Sequence, residues 1–154
     1  MATVTSIVGT KAATPSSTAH NSLASATYVS VGALNHVTNK PLDVLVEVNA
    51  VPGTVSGNKQ LVVFAQASLD AGSTFTTGPT SGTTTTDEPD LYFVGILPLN
   101  TNSTLQTKTF SLAAAFGGVL PQQTKIILKN DSGAALATSG SNVVNYSEVT
   151  GSVA

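Results

Sequence analysis

The chain has 154 residues, 41% of them hydrophobic and only 9% charged, which is enough apolar material for one core but far less charge than the roughly 25% of an ordinary domain. All six basic residues are lysines, set against eight carboxylates and a formal net charge of −2. There is therefore no guanidinium for bidentate phosphate or guanine recognition and no field to gather a polyanion, so no nucleic acid partner is expected. With no cysteine, disulfides, thiolate metal sites and thiol nucleophiles are all excluded. In place of charge the chain carries 23 Thr and 17 Ser, and Thr suits a pleated, half-buried surface.

Residues 1–26 are rich in Ala, Ser and Thr and have no clear periodicity. They read as an extended N-terminal arm ahead of a β-domain spanning 27–154. The first residues lack a basic n-region and an apolar stretch of about seven, so no secretory signal is expected. No apolar run approaches the roughly 20 residues that span a bilayer. The expectation is a soluble, cytoplasmically made protein without a membrane partner. Because interface cores are where charge is depleted, so uncharged a surface also suggests assembly into something larger.

Thr27 to Val37 alternates until Gly32 interrupts it, where a bulge or bend would sit. Leu42 to Ala50 is the clearest strand: Leu42, Val44, Val46, Val48 and Ala50 are apolar, and three of the four intervening residues are polar. Pro52, Gly53 and Ser56 to Asn58 supply turn chemistry before Gln60 to Ser68, whose Leu61–Ala65 core reads as buried on both sides. These two segments are expected to form an antiparallel pair. Ala71 to Pro89, dense in Gly, Thr, Ser and Pro, reads as an extended loop or loose edge strand, either functional or mobile.

Further strands are expected at Leu91–Leu99, Leu105–Leu112, Gln123–Lys129 and Asn142–Thr150. Between the second and third of these, Ser111 can cap and Gly117 can end a single helical turn. The total is an all-β chain, an antiparallel two-sheet β-sandwich of jelly-roll or Greek-key kind, with at most one short helical turn.

Chemistry-bearing residues are few. His20 and His36 stand in no motif with Asp, Glu or Ser, so neither is read as catalytic. No nucleophile elbow, zinc-binding or phosphate-cradling motif occurs, and no catalytic, cofactor-binding or metal residue is assigned. Asp87, Glu88 and Asp90 offer three carboxylates to a hard cation, but Pro89 stiffens the segment and a solvated turn explains it more simply. Asn130 to Gly133 reads as a tight hairpin turn. Carbohydrate binding would call for exposed aromatic platforms. Tyr28, Tyr92 and Tyr146 lie inside strand patterns and read as core or interface residues instead.

The strings LPLNTNSTLQTKTF (97–110), FGGVLP (116–121) and KNDSGAALATSG (129–140) resemble small virion structural proteins of tailed bacteriophages, over roughly the C-terminal 65 residues. That resemblance implies a jelly-roll decoration or cement protein on the outer surface of the capsid. Its partners would be the major capsid protein and further copies of itself, as a dimer or trimer, after assembly in the host cytoplasm. A host-facing fibre or adhesion module and a carbohydrate-binding β-sandwich module are the alternative readings.

Overall fold

A computed structural model describes residues 4–139 and 141–153; residues 1–3 of the expected arm, and Gly140 of the turn before the last strand, lie outside them. The strands are β1 (Val4–Val8), β2 (Ala12–Ala13), β3 (Thr27–Asn35), β4 (Asp43–Ala50), β5 (Gln60–Ser68), β6 (Ser81–Gly82), β7 (Tyr92–Pro98), β8 (Gln106–Ser111), β9 (Gln123–Asp131) and β10 (Val143–Val153), with one α-helical turn, α1 (Leu112–Ala115), and, beyond the single turn expected, a 3-10 turn at Glu88–Asp90. The fold is all-β, two antiparallel sheets face to face. One sheet is ordered β1-β10-β4-β8, with β2 also on β10, and the other β6-β3-β9-β5-β7.

Leaving out the two-residue β2 and β6, the pairings nest: β5 with β7, β4 with β8, β3 with β9, and β1 with β10. The chain is one long antiparallel ribbon doubled back at the 69–91 connection and wound around the core. Two further pairings, β4 with β10 and β5 with β9, close the sheets. This winding is the jelly roll.

The alternation of β4 does what its pattern requires. Val44, Val46, Val48 and Ala50 are fully buried, facing Leu61, Val63, Ile126 and Leu128 of the other sheet. Removing each of the larger side chains from water contributes about 1.5–3 kcal/mol. Here the expected pairing of 42–50 with 60–68 is corrected, because the two strands lie in different sheets. Each has its apolar face on the common core, so they meet side chain to side chain, and the 51–59 connection crosses between layers.

The bulge expected at Gly32 is present as a register shift between Ser30 and Gly32. Gly32 has φ +103°, and a Cβ there would come within 3.0 Å of the Pro15 ring. The helical turn is also as read. Ser111 Oγ accepts from the Ala114 amide at 3.1 Å, and beyond the turn Gly117 and Gly118 donate to the Ala114 and Ala113 carbonyls, a Schellman ending.

Residues 130–133 are not a hairpin turn. β9 and β10 belong to opposite sheets, so the segment opens a crossover. Asn130 is buried and donates to the carbonyls of Leu23 and Ala134, both at 2.7 Å, while its own Oδ1 accepts from the Ser132 amide.

The N-terminal segment is part of the sandwich rather than an arm lying off it. β1 and β2 run along β10. Thr14 and Ser17 bond to Val144 in one sheet and Ser16 to Val31 in the other, so this stretch ties the two layers together.

At the open side between β7 and β8, Gly95 lies flat against the Phe110 ring: a Cβ on Gly95 would meet that ring at 2.6 Å. Gly95→Ala is expected to displace the ring and destabilise the fold by about 1–3 kcal/mol. Denaturant unfolding would report this as a lowered midpoint with an unchanged slope.

Candidate functional site

The two histidines do not converge. His36 follows β3, and its Nε2 meets Thr124 Oγ1 at 3.1 Å. His20 sits at the other end of the sandwich, fully buried, with Nε2 donating to the Asn49 carbonyl at 2.9 Å. Each is a structural histidine that pins a connection to a strand end. Among the described residues no group of three or more His, Cys, Asp or Glu side chains is placed to hold a metal ion.

The acidic cluster is the largely solvated turn its sequence suggests, with Asp87, Pro89 and Asp90 exposed, but one of its carboxylates is engaged. Residues 88–90 form one turn of 3-10 helix, and Glu88 turns inward to take hydrogen bonds from the Tyr28 hydroxyl and the Lys129 ammonium. Burial pushes the Glu88 carboxyl upward, but those two bonds outweigh it and hold it below the usual carboxylate range. Asp90 accepts instead from Thr77 Oγ1 at 2.7 Å. The clamp holds the 71–89 segment across the outer face of β3, β9 and β5. There it covers a second small core of Tyr28, Val62, Phe64, Leu91 and Ile127.

Phe75 adds a contact, with Lys125 Nζ 3.9 Å from its ring centre. Asp70 starts the segment by accepting from the Ser68 hydroxyl and the Thr74 amide, which hold its carboxyl down at about 2. The long Thr-rich stretch is thus a packed cover. That explains why β5 is buried on both faces.

The three tyrosines separate. Tyr28 is buried under the cover, Tyr146 is half-buried against the main core, and Tyr92 is two-fifths exposed and packs on Phe116 with ring centres 4.6 Å apart. Tyr92 belongs to the feature that stands out in this molecule, the end of the sandwich built by connections 36–42, 69–76 and 112–122. Two clefts open there. One, of about 430 Å³, is walled by Val37, Leu42, Val119 and Leu120, with His36 and Lys40 also lining it. The other, of about 250 Å³, is walled by Leu69, Tyr92 and Phe116 together with the shared Val119–Pro121 strip.

Val119 is 75% exposed, Leu69 76% and Leu42 54%. Every large exposed hydrophobic among the described residues, apart from Leu105, lies at this end or on a strand leaving it. The geometry accounts for Val119: the Schellman ending turns the chain out at Gly117 and Gly118, and Pro121 returns it to β9, so the intervening residues are held outward. This open, largely apolar surface is the candidate site. Sequence reasoning missed it because the hydrophobic pattern does not distinguish an aliphatic residue turned outward from one turned in.

The opposite end is tied with amides. Asn142 accepts from the Val51 amide and donates to the Ala137 carbonyl, Asn102 accepts from Val55, and Gln106 accepts from Asn100. No family model matches the chain, and no curated protein is similar to it.

The two buried histidines generate a pH dependence. Burial holds both imidazoles below their ordinary 6.5, opposed for His20 by the bond to the Asn49 carbonyl and for His36 by the Glu148 charge. As pH falls through 6.5 the unfolded chain therefore takes up protons before the folded one. The stabilisation is complete above that pH and is lost below it, at no more than about 1.4 kcal/mol per pH unit for each histidine. The melting temperature is expected to fall between pH 6.5 and 5, above the range where Glu47 and Glu88 titrate. In a His20→Gln, His36→Gln double variant, thermal unfolding across that window should be flat.

Proposed function

We propose that this chain is a non-enzymatic structural protein of a virion, a decoration or cement protein that seats on the outer surface of a tailed-phage head and stabilises it. The observation that carries the reading is the gathering of exposed aliphatic and aromatic side chains at one end of the sandwich, around clefts bordered by Val119 and Leu120. A free domain rarely leaves such a surface uncovered, and contiguous exposed apolar patches mark contact sites. The chain's low charge supports the same reading, since interface cores are depleted of charge. The phage setting itself is supported by the resemblance of residues 97–110, 116–121 and 129–140.

In this reading the apolar end seats on the major capsid protein and the amide-tied end faces outward. Burial of apolar side chains supplies the affinity, and the absence of strong surface charge leaves the contact only weakly sensitive to salt. The capsid gains stability by mass action, because the bound protein favours the intact lattice over the disassembled one.

The test is add-back to heads that lack the protein. Wild-type protein is expected to bind saturably, in a fixed number of copies per head, and to raise the temperature at which the heads disrupt. Val119→Asp and Leu69→Asp, placed on exposed side chains and so tolerated by the fold, should each weaken that binding at least tenfold with unchanged circular dichroism. Heads that bind none of the wild-type protein, or bind both variants as well as wild type, would refute the reading.

A further inference from the structure

β1 stands apart from every other edge of the two sheets. β10 pairs with β4 only from Val143 to Val149; beyond that, Thr150 to Ser152 and the last strand residue pair with β1 alone. At its apolar end the sheet therefore narrows to a two-stranded ribbon of β1 and β10. Such ribbons are marginal in water unless something further is added to them. From Thr5 to Ala13 every side chain is exposed, Ile7 at 50% and Val8 at 58%, and Thr14 is the first buried residue. Main-chain bonds to β10, with the Lys11–Glu47 ion pair at 3.2 Å, are what hold the segment in place.

Among the described residues nothing pairs with the outer side of β1, which leaves a row of backbone N–H and C=O groups open there. Edge strands normally carry a device that discourages pairing: a charge, a proline, a bulge, shortness or a cover. The other edges here have one. β8 presents Lys108 in its middle; β7 has Pro98 and a register shift beside Gly95; β6 is two residues long. β3 has β6 on its outer side and Ser16 bonded to Val31. Among the described residues β1 shows none of these: VTSIV has no charge and no proline, its register on β10 is unbroken, and no described strand lies on its outer side.

We propose that β1 pairs antiparallel with β1 of a second copy, joining the two β1-β10-β4-β8 sheets into one continuous sheet across a two-fold axis. The occupant follows from the strand itself. Its uncharged length sets no like charges against each other across the axis, so the edge is electrostatically self-compatible, and an isologous contact requires only such a self-complementary patch. Full overlap of the five residues puts Ser6 on the axis opposite Ser6 of the other copy, and Thr5 opposite Ile7. Five residues a side bury less than the roughly 1,200 Å² of a stable interface. The dimer is accordingly weak and concentration-dependent in free solution. It does not rest on the virion reading, because it uses a strand edge and not the clefts.

The chain has no cysteine, which makes trapping unambiguous. Residues directly opposite in an antiparallel pair have Cα atoms about 4.5–5.5 Å apart, within disulfide range. Purified full-length Ser6→Cys is expected to give a disulfide-linked dimer on mild oxidation, at least tenfold faster than Thr54→Cys, an exposed position at the opposite end. Adding Ile7→Lys to Ser6→Cys should abolish that advantage with circular dichroism unchanged. Sedimentation of the cysteine-free protein at rising concentration should show a monomer–dimer equilibrium that Ile7→Lys removes and Val119→Asp leaves in place. The proposal is overturned if Ser6→Cys cross-links no faster than Thr54→Cys, if Ile7→Lys leaves cross-linking intact, or if Val119→Asp removes the dimer. Failure to bind heads would leave all these readouts unaffected.

Discussion

The nesting of strand pairs around the 69–91 connection is the constraint from which the rest of this structure follows. β5 meets β7, β4 meets β8, β3 meets β9 and β1 meets β10, so each successive pair closes a longer loop of chain. The entropy of closing a loop rises with its length, if slowly. The inner pairs are supported by buried side chains on one or both faces. The outermost pair closes the longest loop and has the fewest buried groups. It is no accident of detail that β1 is the last strand of the ribbon and, of the strands longer than two residues, the one with every described side chain in water. Its place in the winding leaves it the least held.

The same winding makes most connections cross from one sheet to the other, and each crossing exposes backbone groups that no ladder satisfies. A highly charged chain could solvate them. This one uses side-chain amides and hydroxyls instead: the buried Asn130 and Asn142 complete turns that would otherwise bury bare carbonyls or amides. Neutral amides satisfy the backbone without the several kcal/mol that each buried ion costs to desolvate. The scarcity of charge and the abundance of Asn, Ser and Thr are thus one solution, in which polar satisfaction is local and little is left for long-range electrostatics.

Much of the fold was legible in the sequence, because the period-two aliphatic pattern of 42–50 and the unbroken run of 61–65 state directly which faces are buried. Gly32 and the Ser111 to Gly117 turn were legible for a similar reason: backbone geometry there demands particular residues. Partner choice was not legible. Two adjacent strands with facing apolar sides satisfy the pattern equally well as a hairpin or as opposite walls of a sandwich, and only the whole winding decides. The 71–89 cover was hidden by composition, because its anchors, Phe75 and Glu88, are single residues in a Thr, Ser and Gly background. The apolar end was hidden for the opposite reason. Val119, Leu69 and Leu42 look like core residues in a list, and only the turns that hold them outward reveal their exposure.

The two ends of the sandwich therefore do different physical work. At one end, crossings are locked by amide bonds and few apolar groups remain uncovered, so new contacts there would have to displace satisfied hydrogen bonds for little return. At the other, side chains are already held in water at a cost that any partner would relieve, and the Tyr92–Phe116 pair and Pro121 keep that surface from collapsing inward. A domain with so little charge cannot orient itself on a partner by electrostatic steering. On any partner, shape and the apolar end would have to set its orientation instead. Segregating the exposed hydrophobics to one end gives the surface the polarity that such an orientation would need.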